Sequence, residues 1–146
     1  MSASAAASGY SGTPLPQKLG LKDGQRVLFI SLPKQLKELR KSRNFVEIAE
    51  AGWDSFTDGD PGYDVIHGFT ASRAVLETAA KPLMEQIDRN GAIWISWPKK
   101  ASKVPTDITE DVIRDVMLPI GLVDVKVAAV DEIWSGLKLV IRKELR

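Results

Sequence analysis

The stretch of sequence that decides the fold spans residues 19–35 and reads LGLKDGQR, then VLFI, then SLPKQ. The apolar run VLFI favours a short buried strand at residues 26–30. Pro33 follows where the first turn of a helix tolerates a proline, and Leu36 and Leu39 continue an apolar face at helical spacing. The stretch therefore predicts a strand and then a helix that ends near Asn44.

The rest of the chain alternates strand and helix patterns. Residues 45–50 fit either a strand or a helix extension, and their β-branched and aromatic content favours a strand. The helical pattern at residues 72–89 contains Pro82, which predicts a kink or a break, and Asn90 and Gly91 are expected to close that helix. Further strands are predicted at residues 63–69, 92–97, 122–130 and 137–142, and a further helix at residues 107–118.

This alternation predicts an α/β fold with three layers, Rossmann-like, around a mostly parallel sheet. A short loop containing Trp134, Ser135 and Gly136 joins the last two strands, so these strands are expected to form a C-terminal antiparallel hairpin. Residues 50–63 leave no room for another helix and strand, so we expect about six strands. Residues 1–9 are expected to be a disordered lead-in, and residues 10–146 a single domain.

The composition is that of an ordinary soluble globular protein. The chain has 146 residues, a net charge of +1 and no cysteine, which excludes disulfides, thiolate catalysis and cysteine-based metal sites. No apolar run approaches the ~20 residues of a membrane span, and no basic start with a long apolar core marks an export signal. A cytoplasmic protein without membrane contact is therefore expected.

Residues 19–26 and the strand that follows them resemble the start of an S-adenosylmethionine (SAM)-dependent methyltransferase. Such enzymes follow this strand with an acid-x-Gly-x-Gly-x-Gly turn, whose glycines let the backbone approach the ligand. In this chain Phe29 takes the place of the acid, and Ser31, Pro33 and Gln35 take the places of the glycines. The resemblance implies the methyltransferase variant of the Rossmann fold, and the missing turn implies a degenerate cofactor site with no cofactor.

Five sequence blocks between residue 10 and the C-terminus resemble a second group of proteins. In this order they are similar to a family of small bacterial proteins that carry a domain of unknown function. That resemblance covers nearly the whole chain and implies a bacterial protein, but it implies no activity. The blocks are YSGTPL at residues 10–15, SWPKK at 96–100, DITE at 107–110, VDVKV at 123–127 and VDEIWSGLK at 130–138.

A ligand site is expected where the parallel strands end, because open α/β sheets bind ligands beyond the carboxyl ends of their strands. Glu50 lies where a Rossmann protein places its ribose-binding acid, although a solvated acid has the same pattern. Asp131 joins this edge if its strand runs parallel to the others. The other residues expected there are Ser31, Thr70, Ala71, Ser72, Lys99 and Lys100.

Lys99 and Lys100 are the strongest candidates at that edge. Two neighbouring ammonium groups favour a phosphate or carboxylate ligand, and a crowded lysine can also act as a nucleophile or base once its pKa is lowered. The competing interpretation is a solvated lysine pair on a loop. Trp134 allows two interpretations equally, an exposed ring that binds a partner or a ring folded onto the sheet.

Other polar residues have structural interpretations. Asp107 and Glu110 have the spacing of a helix capping box, for which Thr106 competes. His67 is the only histidine, so it cannot anchor a metal with other histidines or cysteines, and a hydrogen-bonded core position is favoured. No metal site is expected. Trp94 and Trp97 are assigned to packing.

These observations favour a non-catalytic methyltransferase-like module that binds a protein partner or an anionic small molecule. The alternative is an enzyme of unknown class around Lys99 and Lys100, with Glu50 or Asp131 as the acid–base partner. Nucleic acid is disfavoured, because the basic helix at residues 34–43 lacks the interleaved aromatic residues of single-strand binders.

Overall fold

The computed structural model describes residues 12–146, so the expected disordered lead-in at residues 1–9 lies outside the described part of the chain. Within residues 12–146 the strands are β1 Arg26–Ile30, β2 Glu47–Ala51, β3 Tyr63–Phe69, β4 Ile87–Pro98, β5 Leu122–Ala129 and β6 Trp134–Ile141. The α-helices are α1 Leu15–Lys18, α2 Arg73–Gln86 and α3 Glu110–Met117. The 3₁₀ helices are Lys34–Lys41, Lys100–Ser102, Leu118–Ile120 and Lys143–Leu145.

The strands form one mixed sheet in the order β2-β1-β3-β4-β6-β5. Strands β1 to β4 pair in parallel, whereas β6 is antiparallel to both β4 and β5. Strand β5 therefore runs in the same direction as β4, so the two strands end at the same edge of the sheet. The predicted six-stranded, mostly parallel sheet with a C-terminal antiparallel hairpin is confirmed.

Two apolar clusters fill the two faces of the sheet. On the face that we call the α2 face, Leu28, Ile66 and Ile93 pack against Leu76 of α2 and Ile113 of α3. The opposite face, which we call the Trp94 face, carries the other side chains of the same alternating strands. On it Phe29, Val65 and Trp94 pack against residues of the N-terminal segment and of the 3₁₀ helix Lys34–Lys41, among them Leu19, Leu21, Leu36 and Leu39.

The predicted end of the helix at residues 72–89 is wrong. Helix α2 stops at Gln86, and Ile87 already pairs with Tyr63 in the sheet, so Asn90 and Gly91 belong to β4. The side chain of Ile87 is buried, and this burial favours the strand over another helical turn. Of the kink or break predicted at Pro82, a break does not occur, because Pro82 lies inside α2.

Three further local predictions are wrong. The helix after Pro33 is a 3₁₀ helix rather than an α-helix. Residues 134–136 lie inside β6 rather than in the connection, because Trp134 pairs with Pro98 across the ladder. The N-cap of α3 is Thr109, whose side chain accepts from the backbone of Val112, so neither Asp107 nor Thr106 caps that helix.

Candidate functional site

The segment after β1 keeps one glycine-like feature. Ser31 has a φ of 56°, in the left-handed region that favours glycine, at the first of the three glycine places. Its N–H donates to Ala51 O at 2.9 Å, at the end of β2. The Leu32 side chain is buried in the core of the Trp94 face, and Pro33 has no N–H to donate. The segment therefore offers a ligand few backbone donors.

We expect the Ser31→Val variant to lower the free energy of unfolding by about 1–2 kcal/mol, because a β-branched residue is strained at positive φ. Ser31 is exposed, so lost packing contributes little to this effect. Urea unfolding measures the change, with Ser31→Gly as the matched control, which should be at least as stable as the wild type. A fully stable Ser31→Val variant would contradict the positive φ.

Glu50 is held by the neighbouring 3₁₀ helix. One carboxylate oxygen accepts from Lys37 Nζ, and the other accepts from Arg40 Nη1 at 2.8 Å. The Lys37 ammonium, and after it the Arg40 guanidinium, hold the pKa of Glu50 below its ordinary value. Glu50 lies on β2, with β1 and β3 between it and β4, so the structure does not bring it together with Lys99. An acid engaged in this way is not available to a ribose hydroxyl.

The crevice between β1 and β3 is the topological switch point of the sheet. The connection from β1 to β2 packs on the Trp94 face, whereas α2, which follows β3, packs on the α2 face. Trp53 crosses this crevice and donates from its Nε1 to Phe69 O at 2.9 Å. Its ring lies so close to Gly68 that a Cβ there would stand 2.4 Å from Trp53 Cη2. The indole thus fills space beside the ends of β1 and β3.

The residues at this edge do not fit S-adenosylmethionine. Pro33 and the buried Leu32 replace the bare backbone that would wrap the ligand. Glu50 is engaged by two cations, and Trp53 covers Gly68 at the switch point. A nucleoside at this edge would have to displace side chains that pack or pair in the fold.

The end of β4 and the β5–β6 connection do come together. Lys99 N donates to Ile133 O at 2.7 Å. Asp131 Oδ1 accepts from the N–H groups of Ile133 at 2.9 Å and Trp134 at 2.7 Å, and its Oδ2 accepts from Gln35 Nε2 at 3.2 Å. Asp131 thus reaches the expected edge, because β5 runs parallel to β4, but its carboxylate holds the turn. Lys100 is exposed at the start of a 3₁₀ turn.

Trp134 is half-buried, and its ring meets Phe69 edge to face with a centroid distance of 5.3 Å. It packs against the core cluster of the Trp94 face. Of the two interpretations left open by the sequence, the ring folded onto the sheet is therefore the observed one. Trp94 and Trp97 are buried, as the packing assignment predicted.

The same side of the sheet carries a group of lysines from separate segments. Lys126 of β5 lies directly opposite Lys138 of β6, and Lys138 lies opposite Trp94 of β4. Residues opposite each other in a ladder point to the same face, so both lysines stand on the Trp94 face. Lys126 Nζ reaches back to 6.0 Å from the centroid of the Trp94 ring.

Buried Trp94 also positions the next lysine of this group. Its Nε1 donates to Leu19 O at 3.0 Å and so holds the N-terminal segment against the sheet. Lys18 in that segment donates from Nζ to Ala129 O at 3.0 Å, at the end of β5. Burial lowers the pKa of Lys18, and the positive charges of Lys99 and then Lys126 lower it further.

Lys138 has the same kind of environment. Burial lowers its pKa, and the charges of Lys126 and then Lys22 lower it further. Each lysine of the group therefore lies within electrostatic range of at least one other. Within residues 12–146, no carboxylate forms an ion pair with Lys22, Lys99, Lys126 or Lys138 at 4.0 Å or less. We call the set the lysine row, and it consists of Lys99, Lys18, Lys126, Lys138 and Lys22.

Comparison with solved structures identifies the fold. No protein-family model matches the chain, and no curated protein matches it. A SAM-dependent methyltransferase from Aquifex aeolicus aligns with a TM-score of 0.67 at 15% identity, over 86% of each chain. A TehB-like SAM-dependent methyltransferase from Corynebacterium glutamicum aligns with a TM-score of 0.54 at 12% identity, over 94% of this chain and 92% of its own. The chain has a methyltransferase-like fold.

A third methyltransferase-like structure covers as much of the chain. Fibrillarin from Aeropyrum pernix, solved with bound S-adenosyl-L-methionine, aligns with a TM-score of 0.54 at 12% identity, over 94% of this chain and 73% of its own. At such identities the likeness shows the fold alone. The methyltransferase-like arrangement expected from the first strand is thus confirmed.

The basic helix predicted at residues 34–43 is partly neutralised in this methyltransferase-like chain. Lys37 and Arg40 pair with Glu50, and Arg43 donates to the carbonyl oxygens of Leu21 and Ser42. Sequence reasoning found Lys99 but missed Lys18, Lys22, Lys126 and Lys138, because the row forms only when four separate segments meet. The sequence did contain one indication of the pair. Lys126 and Lys138 are equally far from Glu132 along the chain, so a hairpin centred on Glu132 places them opposite each other.

His67 is buried, with a hydrogen bond of 2.7 Å between Nε2 and Ser96 Oγ, and its ring stacks on Phe69 at 4.2 Å. Burial lowers its pKa to about 3, so the ring is neutral at physiological pH. This agrees with the core position favoured by the sequence. Among residues 12–146, no group of three or more histidines and acids could hold a metal ion, and no helix is long and apolar enough to cross a membrane.

An apolar groove of about 530 Å³ lies between α2 and the loop that follows β2. Trp53 and Phe56 form one wall, and Val75, Ala79 and Pro82 of α2 form the other. The sequence analysis did not predict this groove, because the loop has no regular pattern that would place its aromatic residues on α2.

Proposed function

We propose that this chain is a non-catalytic, methyltransferase-like binding module, located in the cytoplasm, that takes an anionic ligand on the lysine row. The observation that carries the proposal is the pairing of Lys126 with Lys138 directly across two neighbouring strands. Like charges in that position destabilise a sheet. A bound anion would offset the repulsion and would accept charge-assisted hydrogen bonds from the ammonium groups.

The surroundings of the pair support this proposal. Lys18 and Lys99 extend the positive surface toward the edge where the parallel strands end, which is where such folds bind ligands. Lys18 is already fixed by its bond to Ala129 O, so it loses little conformational freedom when an anion binds.

The alternative, an enzyme around Lys99 and Lys100, has weaker support. Its acid–base partner would be Glu50 or Asp131. Glu50 pairs with Lys37 and Arg40, and Asp131 accepts three hydrogen bonds that hold the β5–β6 turn. Neither carboxylate is placed to exchange a proton with a lysine.

The proposal is tested by calorimetric titration with inorganic tripolyphosphate. We expect binding to the wild type and at least a tenfold weaker affinity, about 1.4 kcal/mol, in the K126Q/K138Q double variant. The matched control is K34Q/K41Q, which removes the same charge from the exposed 3₁₀ helix and should bind like the wild type. In the same experiment SAM should produce no binding heat.

Two results would overturn the proposal. One is a wild type that does not bind tripolyphosphate, or a K126Q/K138Q variant that binds it equally well. The other is tight binding of SAM together with methyl transfer to any acceptor.

A further inference from the structure

The lysine row extends further than a single phosphate group requires. Lys99 lies five positions beyond Trp94 along the β4 direction, about 16 Å at the usual rise of a strand. Lys138 is directly opposite Trp94, so the row spans a distance on the order of 15 Å. One phosphate holds its hydrogen-bond donors at about 3 Å, so it can engage only part of the row. The row therefore fits a ligand with several anionic groups in line.

One stretch of the chain contains acids but no cations. Residues 44–72, which include β2 and β3, contain no lysine or arginine. The lysine row lies toward the other end of the strand order, over β4, β6 and β5. A net charge of +1 thus conceals a local positive surface at the lysine row. The acids of residues 44–72 are Glu47, Glu50, Asp54, Asp58, Asp60 and Asp64.

The aromatic ring beneath the row is not available to a ligand. Trp94 is fully buried, with its N–H bonded to Leu19 O, and Phe69 of the same face is buried as well. Proteins that bind single strands commonly stack bases on exposed aromatic rings. Trp94 therefore cannot stack on a base, whereas the lysines over it can contact phosphates.

We propose that the ligand of the lysine row is the phosphate backbone of a nucleic acid duplex, bound without reading its sequence. This inference rests on the proposed function and names the class of its anion. A duplex carries a regular line of phosphates along each strand, and with both strands counted it presents one charge per about 1.7 Å of its axis, a higher charge density than a single strand has. The separated lysines of the row can each meet a different phosphate of that line.

Fluorescence anisotropy with a labelled DNA duplex of mixed sequence tests the inference, with salt varied between about 50 and 200 mM. Three to five phosphate contacts predict a slope of log affinity against log salt of about −2.7 to −4.5. Over this range the affinity should fall about 40- to 500-fold. The K126Q/K138Q variant should lose at least tenfold in affinity, and its slope should be less steep by about 1.8. The K34Q/K41Q control should keep the wild-type slope.

The outcomes separate this inference from the proposed function. If tripolyphosphate binds through Lys126 and Lys138 but the duplex does not, the nucleic-acid inference fails and the anion-binding function stands. If the duplex binds with an equal slope in K126Q/K138Q, the inference fails because another surface carries the contacts. A marked preference for one duplex sequence, or for single strands, would also overturn it. If neither anion binds, both proposals fail.

Discussion

Lowering the pH from 7 to 5 should reduce the free energy of unfolding by about 2 kcal/mol through His67. In the folded chain the pKa of His67 is lowered from 6.5 to about 3 by burial. Between these values the unfolded chain binds a proton that the folded chain does not, so stability is lost as the pH falls. Urea unfolding at a series of pH values measures the effect.

The His67→Gln variant is the control for this prediction. It should show a much flatter pH dependence between pH 7 and 5, whatever its stability at neutral pH. The carboxylates with lowered pKa, Glu50 and Asp124, have ordinary values of 4.5 and 3.8, so they lose their stabilising effect mainly below this window. An NMR titration of the wild-type ring gives a second measurement. Protonation of folded His67 near pH 6 would contradict the prediction.

The Gly68→Ala variant should lose about 1–3 kcal/mol of stability. Its Cβ would stand 2.4 Å from Cη2 and 2.7 Å from Cζ2 of Trp53, closer than real Cβ contacts. The ring cannot move away freely, because its Nε1 is bonded to Phe69 O and it packs against Phe56 at a centroid distance of 5.9 Å. Chemical denaturation measures the loss.

A double-mutant cycle shows whether the indole causes that loss. Trp53→Phe removes the part of the ring that contacts position 68, so Gly68→Ala should cost much less in the Trp53→Phe background. A coupling of at least about 1 kcal/mol is expected for residues in direct contact. Equal losses in both backgrounds would show that Trp53 does not lie over Gly68.

The architecture could be predicted from the sequence because its strands carry strong local signals. The apolar runs around Phe29, Ile66 and Ile93 indicate buried strands without any knowledge of which helices pack on them, and these residues are buried. The order of the strands along the chain limits the possible topologies. The end of α2 was harder to predict. Asn90 and Gly91 are a common helix stop, but the pairing of Ile87 with Tyr63 overrides it, and only the tertiary fold shows that pairing.

The candidate site was only partly predictable for a similar reason. Lys99 could be found because it follows a strand, and strand ends are where ligands are expected. The pairing of Lys126 with Lys138 depends on a hairpin register that begins at Trp134, a residue expected in the connection. The ion pairs of Glu50 with Lys37 and Arg40 could not be predicted either, because in the sequence these two cations look like part of a solvated basic face.

The bond from Trp94 to Leu19 O joins residues that are 75 positions apart in the chain. Because the acceptor of this bond is in the N-terminal segment and its donor is in β4, the segment can dock only where β4 is in place. A partly folded chain therefore lacks Lys18 and Lys22 beside the sheet. Because only the complete fold presents the whole cationic surface, an added polyanion should bind the native state in preference to the unfolded chain and raise the unfolding temperature.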